Sequence, residues 1–91
     1  MRKISYTNQF KRDYKLVVKR GYDVKKLEAI LNLLMNDIGL PQNNRDHQLI
    51  NSKEYNNVRE CHISPDWLLI YRETEDEIQL IRTGTHSDLF C

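Results

Sequence analysis

His47, His62 and His86 are the three histidines of this 91-residue chain, and imidazole is the side chain whose unperturbed pKa, about 6.5, suits it to take or give a proton near neutrality. Asp66 adds a carboxylate four residues after His62, across a Ser64-Pro65 corner. Pro65 fixes its own φ and removes a donor, which stiffens the turn and can hold Asp66 in place. Taken singly, each histidine reads as an ordinary polar surface residue and Asp66 as a turn former. Their weight comes from where the strands put them.

Three strand-like runs close the chain: Val58 to Ile63, Trp67 to Arg72 and Ile78 to Thr83. Each alternates or is wholly apolar, and turn chemistry separates them, Ser64-Pro65-Asp66 and then Glu73 to Asp76. Short connections predict antiparallel neighbours, up, down and up again. His62, Asp66 and the Thr83–His86 stretch then share one end of the sheet.

The first half supplies the support. Lys3 to Tyr6 has the period-two pattern of a strand. Thr7 or Asn8 offers an N-cap oxygen, Phe10, Tyr14, Val17 and Val18 follow at helical spacing, and Gly21 provides the stop. Asp23 caps a second helix whose apolar positions run from Val24 to Ile38, ended by Gly39 and Pro41. A two-residue join between amphipathic helices predicts an antiparallel hairpin. Residues 41–57 read as a long polar loop with a short extended piece at His47 to Ile50. The expected fold is α+β, in the order β-α-α-β-β-β, with the helix hairpin on one face of an antiparallel sheet and a short turn or helix at Gly84 to Cys91. Residues 1–91 are expected to form a single domain, since a chain this short has one modest core.

Several chemistries are excluded. No HxH, HExxH or CxxC occurs, the histidines are far apart in sequence, and Cys61 alternates with His62 onto the opposite sheet face. Neither a metal centre nor a Cys-His nucleophile is expected. Gly21, Gly39 and Gly84 are isolated, so no phosphate loop or dinucleotide fingerprint is present. Trp67 to Tyr71 is the longest apolar run and far too short for a bilayer, and no apolar run follows Met1-Arg2-Lys3. Two cysteines without framework spacing suit a reducing cytoplasm.

A net charge of +1 conceals an asymmetry. Residues 1–26 hold nine bases against Asp13 and Asp23, whereas the rest holds five bases against eleven acids. A first helix carrying Lys11, Arg12, Lys15, Lys19 and Arg20 either attracts a polyanion such as RNA or is a solvated face kept for solubility. Trp67 is either an aromatic anchor of the core or a stacking platform for a base.

Acid-base cleavage of RNA fits this inventory. A 2′-hydroxyl attacks its own 3′-phosphate and the 5′-oxygen leaves, which needs a proton acceptor, a proton donor and positive charge beside the phosphorane. Imidazole can fill each role, so no metal or cofactor is expected.

The stretches RDHQL (45–49), VRECHISPDWLLIYR (58–72) and RTGTHSDLF (82–90) resemble the YafQ branch of the RelE/ParE toxin superfamily, and the element order agrees over almost the whole chain. The resemblance implies a ribosome-dependent endoribonuclease that cuts mRNA in the A site of the 70S ribosome and is neutralised by a cognate antitoxin. It implies His47, His62, Asp66, His86 and Phe90 as the active-site set, and Arg82 falls where a phosphate-stabilising cation would be useful. In that frame His47 is the general base, His86 or Asp66 the general acid, and His62 with Arg82 stabilises the phosphorane, while Phe90 and Trp67 stack on a base. The basic first helix would dock on ribosomal RNA. The alternative is a non-catalytic toxin or binding module on the same scaffold, such as a gyrase inhibitor, for which three imidazoles and a carboxylate at one rim are superfluous.

Overall fold

The computed structural model describes residues 2–49 and 58–90, so Met1, residues 50–57, over which the polar loop is expected, and Cys91 lie outside the described residues. The order is β1 (Lys3–Tyr6), α1 (Asn8–Lys19), α2 (Val24–Met35), a 3-10 turn (Gln42–Asn44), β2 (His47–Gln48), β3 (Arg59–Ser64), β4 (Trp67–Glu73), β5 (Glu77–Gly84) and α3 (His86–Phe90). The α+β reading is borne out, with strand ends displaced by one or two residues.

Local chemistry explains both long helices. Thr7 is the N-cap of α1, its hydroxyl accepting the Phe10 amide at 2.9 Å, and Asp23 caps α2 through the Lys25 amide at 3.1 Å. Gly21, at φ 81°, closes α1 with Tyr22 N–H bonding to Val17 C=O and Gly21 N–H to Val18 C=O, the paired bonds of a Schellman stop. The same motif ends α2 earlier than its apolar rhythm predicts. Ile38 N–H bonds to Leu33 C=O and Asp37 N–H to Leu34 C=O, with Asp37 itself left-handed at φ 56°. An aspartate, which tolerates that region better than most residues, takes the place expected for Gly39.

The five strands form one sheet in the order β1-β5-β4-β3-β2. β3, β4 and β5 are antiparallel neighbours as predicted, while β1 joins the edge of β5 in parallel, Ile4 opposite Ile78 and Tyr6 opposite Leu80. One face receives Phe10 and Val17 of α1 and Leu27, Ile30 and Leu34 of α2 against Cys61, Ile63, Trp67, Leu69, Tyr71, Ile78 and Leu80. The other carries a smaller cluster, Val58, Leu68 and Ile70, covered by Leu89 of α3. Being covered on both faces, β4 reads as the unbroken apolar run Trp67 to Tyr71, all buried. Val18, expected in the α1 stripe, is 48% exposed, and Asp13 is buried in that helix instead.

Candidate active site

The pairing register decides which side chains meet. Glu60 stands opposite His47 across β2 and β3, and opposite Ile70 on β4. His62 stands opposite Leu68, and Leu68 opposite Gly84. Directly paired residues, and residues two apart on a strand, share a face. His47, Glu60 and His62 therefore sit on the sheet face away from α1 and α2, over the Leu68–Ile70 floor that α3 also covers. The row from His62 to Gly84 spans two strand spacings, about 10 Å between Cα atoms, and His86 follows Gly84 by two residues. His62, Asp66 and His86 thus lie toward the sheet end predicted from the sequence, and β2 brings His47 in from the side, opposite Glu60.

In the first group one carboxylate oxygen serves two rings. Glu60, 6% exposed, places Oε1 3.4 Å from His47 Nε2 and 4.0 Å from His62 Nε2. The opposite nitrogens face carbonyls: His47 Nδ1 is 2.7 Å from Arg45 O, and His62 Nδ1 is 3.4 Å from Pro65 O. A carbonyl only accepts, so His47 carries its hydrogen on Nδ1. In a neutral ring Nε2 then presents a lone pair, and a proton arriving there becomes a charge-assisted hydrogen bond to Glu60. Sequence reasoning missed Glu60. The available signal was its two-residue spacing from His62, which puts both on one strand face.

Asp46 anchors the neighbouring chain. Its Oδ1 accepts from Tyr71 Oη at 2.6 Å and from Arg59 Nε at 3.1 Å. Burial, then the bond to Asp46, pushes the Tyr71 phenol well above its ordinary range, so Tyr71 acts here as a donor. Burial likewise pushes the Cys61 thiol up, consistent with an inert core thiol.

The second group is built on α3. Asp66 Oδ1 accepts the backbone N–H of His86 at 3.3 Å, and the His86 ring lies 5.0 Å from the Phe90 ring, centroid to centroid. Both rings are exposed. Thr85 and Asp88 form a capping box, Thr85 N–H donating to Asp88 Oδ2 at 2.9 Å and Asp88 N–H to Thr85 Oγ1 at 3.1 Å.

Two proposed site residues are placed elsewhere by their surroundings. Trp67 is 3% exposed, donates its indole N–H to Thr83 Oγ1 at 2.8 Å and meets the Tyr22 ring edge-on; it is a core anchor with no face left for a base. Arg82 directs Nε and Nη2 to Asp13 at 2.9 and 3.1 Å, so its guanidinium ties β5 to α1 rather than standing ready for a phosphate. Asp13 also accepts the Thr83 N–H at 3.2 Å and Gln9 Nε2 at 3.0 Å.

On the predicted cationic helix, Lys11, Lys15 and Lys19 are exposed along one face. Arg12 bonds to Gln9 at 2.8 Å, and Arg20 is drawn off that face into a pair with Asp88. Among the described residues no group of three or more His, Cys, Asp or Glu is arranged to hold a metal ion, and no helix is long and apolar enough to cross a membrane.

Residues 2–91 match the family model described as the bacterial toxin of type II toxin-antitoxin systems, YafQ. The chain is 42% identical over 90 residues to the mRNA interferase toxin YafQ of Escherichia coli BL21-DE3, covering 98% of this chain and 96% of that protein. It superposes on the toxin chain of the E. coli DinJ-YafQ toxin-antitoxin complex with a TM-score of 0.89 at 41% identity, covering 99% of this chain and 98% of that one. The crystal structure of YafQ from E. coli BL21(DE3) gives a TM-score of 0.89 at 39% identity, with both chains fully covered.

Proposed function

Because the chain belongs to the YafQ family of type II toxin-antitoxin toxins, we propose that it is an mRNA interferase, an endoribonuclease that cuts mRNA on the 70S ribosome, in the A site, and thereby stops translation. The observation that carries this reading is the meeting of His47, Glu60 and His62 on one sheet face with Asp66, His86 and Phe90 beside the next strand end. Residues 1–91 act as one toxin domain in the cytoplasm. A cognate antitoxin neutralises it, as the complex formed by its E. coli relative suggests.

The chemistry follows from the hydrogen positions. His47, with its hydrogen turned to Arg45 C=O, offers Nε2 to the 2′-hydroxyl as general base. Glu60 stabilises the imidazolium that results. His62, on the same carboxylate, adds positive charge to the pentavalent phosphorus. On the leaving side Asp66 is occupied in holding the His86 backbone, which leaves the exposed His86 ring as the general acid for the 5′-oxygen. Phe90 stacks on the adjacent base. Lys11, Lys15 and Lys19 supply the screened attraction that holds the toxin on ribosomal RNA.

The test is to map mRNA 5′ ends after incubating purified protein with programmed ribosomes, with mRNA alone, and with His86→Ala. Cuts in the A-site codon that require the ribosome and disappear with His86→Ala are expected. Intact mRNA in the presence of the parent protein and ribosomes would defeat the reading.

A further inference from the structure

We propose that Arg45, assisted by Lys26, forms a subsite for a backbone phosphate of the mRNA next to the scissile one. This rests on the ribonuclease reading above and specifies which residue touches the substrate away from the chemistry.

Arginine bookkeeping isolates the candidate. Arg2 pairs with Asp37 and Glu73, Arg12 bonds to Gln9, Arg20 to Asp88, Arg59 to Asp46, Arg72 to Gln79 and Arg82 to Asp13. Arg45 alone among the seven arginines has no side-chain partner among the described residues. It is also exposed.

Its backbone is the second observation. Arg45 is left-handed, at φ 49° and ψ 42°, a conformation that costs any residue with a Cβ and that concentrates at functional sites. That turn delivers the Arg45 carbonyl to His47 Nδ1 at 2.7 Å. The same residue thus orients a catalytic ring with its main chain and leaves its guanidinium unclaimed.

The third is the space in front of it. Arg45 lines a cleft of about 360 Å³ with Lys26, Asn43, His62, Ser64 and Pro65. Among the described residues no carboxylate lines this cleft. Asn44 donates to His62 C=O at 2.7 Å, so the 3-10 turn that carries Arg45 is fastened to the strand that carries His62. A guanidinium, an ammonium and an amide around one hollow suit a phosphate monoanion. The walls come from α2, the 3-10 turn and the end of β3, and none from β5 or α3. The occupant is therefore a neighbouring phosphate, on the side of His62 away from His86.

The experiment measures single-turnover cleavage on programmed ribosomes across protein concentration, for the parent, Arg45→Gln, Arg45→Lys and Lys26→Gln. Arg45→Gln should raise the half-saturating concentration about 10-fold, the worth of one charge-assisted hydrogen bond, with a saturating rate near that of the parent. Arg45→Lys should keep most of the affinity, and Lys26→Gln, on an exposed helix position, should shift it less in the same direction. Replacing the mRNA phosphate on either side of the cut, one at a time, by a neutral methylphosphonate separates substrate from ribosome. At one of the two positions the parent should behave as Arg45→Gln does on natural mRNA, and Arg45→Gln should lose nothing more. An unchanged half-saturation in Arg45→Gln, a loss confined to the saturating rate, or insensitivity to both methylphosphonates, which would move the contact to ribosomal RNA, each overturns the subsite. A parent protein that leaves ribosomal mRNA uncut removes the ribonuclease reading itself, a separate result.

Discussion

Arg20, the C-cap residue of α1, holds Asp88 of α3 with two nitrogens, Nη1 to Oδ2 at 2.7 Å and Nη2 to Oδ1 at 3.3 Å. Because α3 carries His86 and Phe90, this pair braces the proposed acid side of the site against the first helix. The Arg20 guanidinium and then the Thr85 amide hold the Asp88 carboxyl well below the usual carboxylate range. A carboxyl depressed in the folded state contributes stability that is fully present above its unfolded value, about 3.9, and is lost as pH falls toward the depressed one. Asp88→Asn should therefore melt below the parent at pH 7, and the gap should narrow as pH drops beneath about 4. Thermal melts of both proteins at pH 7, 4 and 2.5 check this, and a gap independent of pH would remove the charge argument.

Gly84 makes the same brace possible. A Cβ there would lie 2.9 Å from Asp88 Oδ2 and 3.0 Å from Asp88 Cβ, and the backbone is at φ 155°. Gly84→Ala is expected to push Asp88 out of its capping position and to lower cleavage several-fold while the sheet persists. Amide exchange would report it, with protection lost at Leu89, whose N–H bonds to Thr85 C=O, and retained in β4.

Glu60 is the carboxylate on which the proposed base side turns. Glu60→Gln keeps size and packing but removes the negative charge that faces the rings of His47 and His62. The single-turnover rate on ribosomes should fall on the order of 10²-fold, the low end of what acid-base groups contribute, with the melting temperature little changed. A rate equal to the parent's would make Glu60 a spectator.

The placement of Trp67 separates core from substrate. Trp67→Phe keeps the aromatic body and deletes the bond to Thr83 Oγ1, at a cost of about 1 kcal/mol in denaturant unfolding. Cleavage per folded molecule should not change. A large loss of activity at unchanged stability would restore the base-stacking role.

The fold was legible because its signals are local. Thr7 and Asp23 cap, Gly21 stops α1, and Pro65 with Asp66 turns between two apolar runs, each acting within a few residues. The histidines stand out in the sequence by type, and strand parity was enough to bring His62, Asp66 and His86 to one end. What escaped were side chains whose meaning comes from long-range partners. Glu60 looks like any strand-surface acid until His47 arrives opposite it from β2. Asp13, inside an otherwise cationic helix, gives no sign that it is 69 residues from its guanidinium partner. The early end of α2 was hidden for a different reason: the apolar rhythm runs on to Ile38, while the backbone turns on the left-handed tolerance of Asp37.

Asp13 and Arg82 then supply the sharpest test of what positions β5. Asp13 is 8% exposed and collects donors from Arg82, Thr83 and Gln9, so truncating it removes one acceptor shared by a guanidinium and a buried amide. Removing one partner of a buried pair costs roughly 3 kcal/mol or more, and Asp13→Ala should lose about that in urea unfolding. Arg82→Ala should cost less, because its own side chain is 22% exposed and the carboxylate it leaves behind keeps two other donors. In the double variant the losses should be far from additive, with a coupling of at least about 1 kcal/mol, as expected for residues in direct contact. Additive losses would mean that the two groups do not depend on one another for stability.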